Sequence, residues 1–186
     1  MSAVVHATPM AANDAEPGAS TLAPWIDEVL HPRLLRTVLG CYPTGVAIVA
    51  TRTADGRPVG LTINSFASLS LEPPLVLWSL VNRSPSLQAF RDCTHFTISV
   101  LGCEQEALAR HFANPAVPDK FEGIAIAEAP EGVPAIAGAA ATLVCASDHH
   151  RETGDHHLLV GRVLRVARSE TAPLVFHGGR FTGLAA

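Results

Sequence analysis

The spacing of apolar residues along this chain changes near residue 45. From Trp25 to Leu39 the apolar positions Trp25, Ile26, Val29, Leu30, Leu34, Leu35, Val38 and Leu39 recur at helical spacing, the signature of one buried helix face. Pro32 permits a break, so two short helices are expected, ended by Gly40 and Pro43. Beyond this point strands dominate. Val46 to Thr51 is apolar and β-branched, and Thr53-Ala54-Asp55-Gly56 is a hairpin turn signal. Pro58 to Ser65 and Leu75 to Val81 read as strands joined by a polar, proline-containing loop. Ser84 to Arg91 reads as a short helix, with Ser84 as its cap and Pro85 in its first position. His95 to Leu101 is a further strand, Glu104 to Phe112 an amphipathic helix, and Asn114 to Gly123 a loop. Ala140 to Ser147 and His156 to Ala167 form a hairpin around Arg151-Glu152-Thr153-Gly154, and a last short strand lies near Leu174 to His177. Six or seven strands, three or four short helices and no alternation of strand and helix predict a mainly β protein built as an antiparallel barrel.

Composition narrows the class. The 186 residues make one domain, and 48% hydrophobic content suits a packed core. Residues 1–23 are expected to be a flexible tail and 24–186 the folded domain. A net charge of -4 without a Lys or Arg run excludes nucleic acid and anionic membrane as partners. No stretch reaches the roughly 20 apolar residues a membrane span needs, and the first residues lack the pattern of a secretory signal. The four cysteines, Cys41, Cys93, Cys103 and Cys145, form no CxxC pair, so reduced thiols in a cytoplasmic protein are expected.

Candidate chemistry concentrates in four places. Residues 56–84, GRPVGLTINSFASLSLEPPLVLWSLVNRS, bring small polar residues to neighbouring strand ends. Backbone N–H groups and hydroxyls there suit a planar polar ligand, and the Asn82-Arg83-Ser84 end suits its anionic tail. The plain alternative is a polar hairpin edge. Pro43-Thr44-Gly45-Val46 is a tight strand entry where glycine lets a ligand approach. Asp148 to His157 holds four histidines and three acids within ten residues. Adjacent strand residues face opposite sides, so the block does not converge as a metal site; one histidine facing a cleft, His156 or His157, is expected instead. Phe176-His177-Gly178-Gly179-Arg180-Phe181 flanks two glycines with aromatics and a cation, which could clamp a flat or phosphorylated substrate or could simply be a C-terminal edge strand. There is no GxSxG nucleophile elbow, no GxGxxG and no GxxxxGK followed by Ser or Thr, so hydrolase, Rossmann and P-loop chemistry are excluded.

Taken together, PTGVAIVAT (43–51), GLTINSFASLSLEPPLVLWSL (60–80), NRSPSLQAF (82–90), LARHFA (108–113), KFEG (120–123), GDHHLLVGRVL (154–164) and PLVFHGGRF (173–181) resemble the flavin reductase-like family. These proteins are the small reductase components of two-component flavin monooxygenases. The resemblance covers about Leu35 to Leu184. It implies an antiparallel split β-barrel with a few short peripheral helices, and a homodimer binding FMN or FAD near its interface. It also implies NADH or NADPH as co-substrate and a partner monooxygenase that receives reduced flavin by diffusion. By position, Thr44, Gly45, Val46, Leu61, Thr62, Ile63, Asn64 and Ser65 would line the flavin ring. Asn82, Arg83, Ser84 and Ser86 would surround its phosphate, with Phe90 nearby. His156 would stand at the nicotinamide as the catalytic-site histidine, and Phe176, Arg180 and Phe181 would flank the same co-substrate. Relatives often carry tyrosine where this chain has Phe176 or Phe181, so stacking is expected there without a hydroxyl contact. Two functions stay open on these residues: an NAD(P)H:flavin oxidoreductase, and a tight FMN-binding electron-transfer or storage protein.

Overall fold

The computed structural model describes Trp25 and residues 30–184. The expected tail, and most of the first of the two expected short helices, lie outside the described residues. The second helix is α1, Pro32–Leu39, which starts at the permitted break with Pro32 in its first turn.

The strands are β1 (Thr44–Gly45), β2 (Ala47–Arg52), β3 (Pro58–Ile63), β4 (Ala67–Leu71), β5 (Pro74–Val81), β6 (His95–Val100), β7 (Ile126–Glu128), β8 (Pro134–Ile136), β9 (Ala141–Thr153), β10 (His156–Arg168), β11 (Val175–His177) and β12 (Arg180–Thr182). Helix α2 spans Leu87–Asp92 and helix α3 Glu106–Ala113, the latter after a 3-10 turn at Cys103–Gln105. Seven strands form one antiparallel sheet in the order β3-β2-β6-β9-β10-β5-β4, with β1-β11-β12 and β7-β8 as smaller sheets. The strand count exceeds the six or seven expected because short ribbons are too brief to show a period. Strand β4 is the instructive difference. The expected loop after residue 65 instead pairs with β5 from Ala67↔Leu77 to Leu71↔Pro74. Its ASLSL sequence is mostly exposed, so no buried alternate face marked it.

The long sheet curls around an inner core. Ala47, Val49, Ile63, Val76, Trp78, Leu80, Phe96, Ile98, Cys145 and Leu159 meet there with Leu87 and Phe90 of α2. Phe90 and Phe96 both stand edge-on to Trp78, at 4.9 and 6.0 Å between ring centroids. Residues from β3 and from β5, near opposite edges of the sheet, share this cluster, which is what makes the sheet a barrel. Where it splits, Ser65 bridges the gap: its hydroxyl donates to the Ser79 carbonyl (3.0 Å) and accepts from the Ser79 N–H (3.1 Å).

A second core lies outside the barrel. Val46, Ile48 and Ala50 pack there against Leu101, Ala109, Phe112, Phe121, Ile136 and Leu174. Strand β2 therefore has no solvent face, which is why it reads as a continuous apolar run rather than an alternating one. The β9–β10 hairpin turns more tightly than expected. Its strands run to Thr153 and resume at His156, leaving Gly154-Asp155 as the turn, with Gly154 at φ +64°. Helix α2 also starts later than expected. Ser86 occupies its cap position, while the Ser84 hydroxyl accepts the Ser86 N–H (3.3 Å) in the preceding turn.

Candidate functional site

The topology gathers the sequence candidates into two groups. The first is built on the three-stranded sheet, where Thr44 pairs with Phe176, Gly45 with Val175, and Phe176 in turn with Phe181. The Pro-Thr-Gly entry and the C-terminal aromatic block are thus one surface. Phe176 and Phe181 meet edge to face at 5.3 Å. Thr44 Oγ1 is shielded from solvent and has no hydrogen-bond partner among the described residues, an orphaned acceptor and donor at the place where a polar ligand edge would satisfy it. Gly45 is exposed, and a Cβ there would meet nothing within 4 Å. Val46 differs: its side chain is 1% exposed and belongs to the outer core, and its backbone is engaged with Leu174 and Leu101.

Helix α3 supplies a residue that the site assignment from sequence overlooked. The Arg110 guanidinium lies 4.8 Å from the centroid of the Phe181 ring, and Glu106 one turn earlier accepts from Arg110 Nε (2.9 Å) and Nη2 (2.7 Å). The Glu-x-x-x-Arg spacing was visible as an i,i+4 pair, but nothing local indicated an aromatic partner some 70 residues further along the sequence. Thr62 fixes this helix to the barrel, its hydroxyl donating to the Ala109 carbonyl at 2.7 Å. Arg110→Met is expected to lower stability by about 0.5–1 kcal/mol, the worth of an exposed cation–π contact. The urea midpoint measures it, and an unchanged midpoint would show that the stack contributes nothing.

The second group lies where β5 and the β9–β10 turn end together. Arg83 is exposed, with the hydroxyl residues Ser84 and Ser86 beside it. A guanidinium and two hydroxyls on one short loop are a donor set for an anion. Across from it, the Asp155 carboxylate accepts from His156 Nδ1 at 2.7 Å. Hydrogen bonding from His156 holds Asp155 below the usual aspartate range, with Arg83 a smaller contributor. An ionised carboxylate only accepts, so Nδ1 of His156 carries the proton and Nε2 is the nitrogen presented outward. His157, the neighbour on the opposite strand face, points to the barrel end. It is 7% exposed, and its Nδ1 lies 2.8 Å from Asn82 Oδ1.

Several assigned residues turn out to serve the fold through their side chains. Phe90 is fully buried against Trp78, so the expectation that it neighbours a phosphate is not met by its ring. Ile63 and Leu61 pack on the inner core. The hydroxyls of Thr62 and Ser65 are engaged with backbone, and both side-chain N–H donors of Asn82 are taken within the protein. Asn64, Thr44 and the strand-end peptide groups are what remain for a ligand ring. Arg180 is exposed opposite His177. Among the described residues no hydrogen bond, ion pair or aromatic contact joins the two groups.

This arrangement has known counterparts. A family model described as "Flavin reductase like domain" matches residues 39–185. The chain is 42% identical over 151 residues to the FMN reductase (NADH) SmoA of Agrobacterium fabrum, covering 81% of this chain and 85% of that protein. It is 41% identical over 158 residues to the reductase subunit HsaB of a flavin-dependent monooxygenase from Rhodococcus jostii, covering 84% of this chain and 80% of that one. Among solved structures, the NADH:FAD oxidoreductase SgcE6 of Streptomyces globisporus, in complex with NAD and FAD fragments, superposes with a TM-score of 0.78 at 39% identity. That match covers 85% of this chain and 97% of SgcE6. With its split-barrel sheet order and matching blocks spread from the first strand to the last, the chain belongs to the flavin reductase-like family.

Proposed function

We propose that this protein is an NAD(P)H:flavin oxidoreductase that supplies reduced FMN or FAD to a separate flavin-dependent monooxygenase. The observation that carries this reading is the pairing of an anion-binding loop, Arg83-Ser84-Ser86, with an oriented histidine, His156, at one barrel end. The aromatic sheet bearing the unpartnered Thr44 hydroxyl supports it. Relatives named as NADH-dependent FMN reductase and as monooxygenase reductase subunits support it further. A bound flavin would supply the two-electron acceptor for hydride from the nicotinamide. The protein's part is therefore positioning and electrostatics. Arg83, Ser84 and Ser86 hold the flavin phosphate. Thr44, Gly45, Asn64 and the peptide groups at the ends of β1 and β3 meet the ring edge, where fixed N–H dipoles stabilise developing negative charge without reorganising. Asp155 keeps His156 in the tautomer whose Nε2 accepts from the nicotinamide carboxamide. Phe176 and Phe181 would give the co-substrate an aromatic wall, with the Arg180 cation on the same sheet.

A homodimer fits the apolar surface left on one chain. Helix α1 buries none of its residues, while Leu35, Val38, Leu39 and Tyr42 stay exposed, as do Leu69 and Leu71 on edge strand β4. Among the described residues no helix is long and apolar enough to cross a membrane, and we place the protein in the cytoplasm. Steady-state assays of NADH and NADPH against FMN and FAD test the function. Flavin-dependent nicotinamide oxidation in at least one pairing is expected. Its absence from all four, or a yellow protein that survives desalting without turnover, would favour a tight flavin-binding protein and overturn the reading.

A further inference from the structure

We infer that Asn82 and His157 form a positioning pair that couples the flavin-phosphate loop to the histidine turn, so that loss of either loosens both co-substrates together. This rests on the proposed function, since it takes residues 83–86 and His156 as the two binding elements.

The geometry leaves Asn82 no free side-chain donor for a ligand phosphate. Its Nδ2 faces two acceptors, Glu152 Oε1 at 3.0 Å and the Gly154 carbonyl at 3.3 Å. Only an NH2 group can satisfy both, which assigns Oδ1 to the remaining contact with His157 Nδ1. Oδ1 accepts, so His157 Nδ1 carries the proton. The Asn82 backbone adds a fourth link, its N–H donating to the Asp155 carbonyl at 2.9 Å. One residue thus binds Glu152, Gly154, Asp155 and His157, four of the six residues spanning the β9–β10 turn.

The position of Asn82 in the chain gives this its consequence. Arg83 is its covalent neighbour, and the Asp155 carbonyl it holds belongs to the peptide that leads into His156. The strand register agrees, since His156 and His157 lie opposite Val81 and Leu80. His157, buried beside the core, is the rigid side of the clamp, because a packed ring cannot rotate away from the amide. Asn82 therefore acts through its neighbours and is a positioning residue rather than a phosphate ligand.

The test uses the full-length chain. His157→Leu removes the donor while keeping an apolar body, and His157→Asn restores a donor at the Nδ1 position. Flavin affinity is read by fluorescence titration with FMN and FAD, and KM and kcat by NADH oxidation. For His157→Leu, the flavin Kd and the NADH KM are both expected to rise, by about five- to tenfold, a hydrogen bond's worth. His157→Asn should lie within about twofold of the parent, which a general loss of packing would not allow. Glu152→Ala, at an exposed position, should move both constants in the same direction by a smaller factor, and it serves if the leucine variant fails to fold. The inference is overturned if only one constant moves, if neither moves, or if the asparagine variant behaves like leucine. A parent protein with no nicotinamide turnover would instead sink the proposed function. The flavin titration would then still decide whether the pair holds the loop.

Discussion

Gly161→Ala is expected to destabilise the protein by about 2–3 kcal/mol, the upper part of the range for overpacking a filled core. A Cβ at this position would lie 2.4 Å from Phe96 Cζ, 2.9 Å from Phe96 Cε1 and 3.0 Å from Cys145 Cβ. These are aromatic and near-backbone atoms, not the tip of a flexible chain. Phe96 is 1% exposed and held edge-on to Trp78, so it has no open space to move into. The residue sits next to a register irregularity between Val160 and Gly161, where the facing strand β9 carries Asp148 as an extra residue. For a chain of this length the loss corresponds to a melting temperature lower by about 5–10 °C. Phe96→Leu in the same chain removes the far end of the ring and should recover part of it. A single Gly161→Ala variant melting within a degree of the parent would show that the strand shifts freely, and would refute the steric account.

The second large effect is on turnover. His156→Ala should raise the KM for NADH or NADPH by about tenfold while changing flavin affinity by less than about twofold, since it removes one hydrogen bond to a single co-substrate. Asp155→Asn should act in the same direction more weakly. An amide can also donate, so His156 loses the partner that fixes its tautomer. The Asp155 carboxylate, held below the usual range by His156, stays an acceptor well into mild acid. Its orienting contribution is complete above the ordinary aspartate value and is lost only as pH falls through the lowered one. Measured at neutral pH, the alanine substitution therefore removes a fully formed pair. Equal loss of flavin and nicotinamide binding would contradict the role given to His156. It would also separate this residue from His157, whose removal is expected to affect both.

The parts of the fold that could be read from sequence were those where one chain segment carries its own signal. β5 alternates buried and half-buried positions, and β2 is an unbroken apolar run, so both were evident. Strand β4 was not, because its two leucines, Leu69 and Leu71, remain exposed and its pairing depends on β5 rather than on itself. The site followed the same rule. Thr44, Arg83 and His156 are candidates that residue type and the family resemblance could name. The roles of Asn82 and His157 were hidden, because a hydrogen bond between residues 82 and 157 exists only once β5 lies beside β10. Adjacent histidines gave the right inference that they face opposite ways, but not which one would face solvent. Arg110 was likewise visible as half of a helical ion pair and invisible as the partner of Phe181.

Strand β2 also bears on how the molecule comes apart. Its even and odd residues belong to different clusters, Ile48 and Ala50 to the outer layer and Ala47 and Val49 to the barrel interior. An opening event that frees either layer must expose the strand wall on which the other rests. The aromatic sheet rests on the outer layer, against which Phe176 and Phe181 pack, so it loses that support when β2 gives way. Unfolding of either layer therefore takes the other with it, whereas the β9–β10 turn and the chain end can still loosen locally.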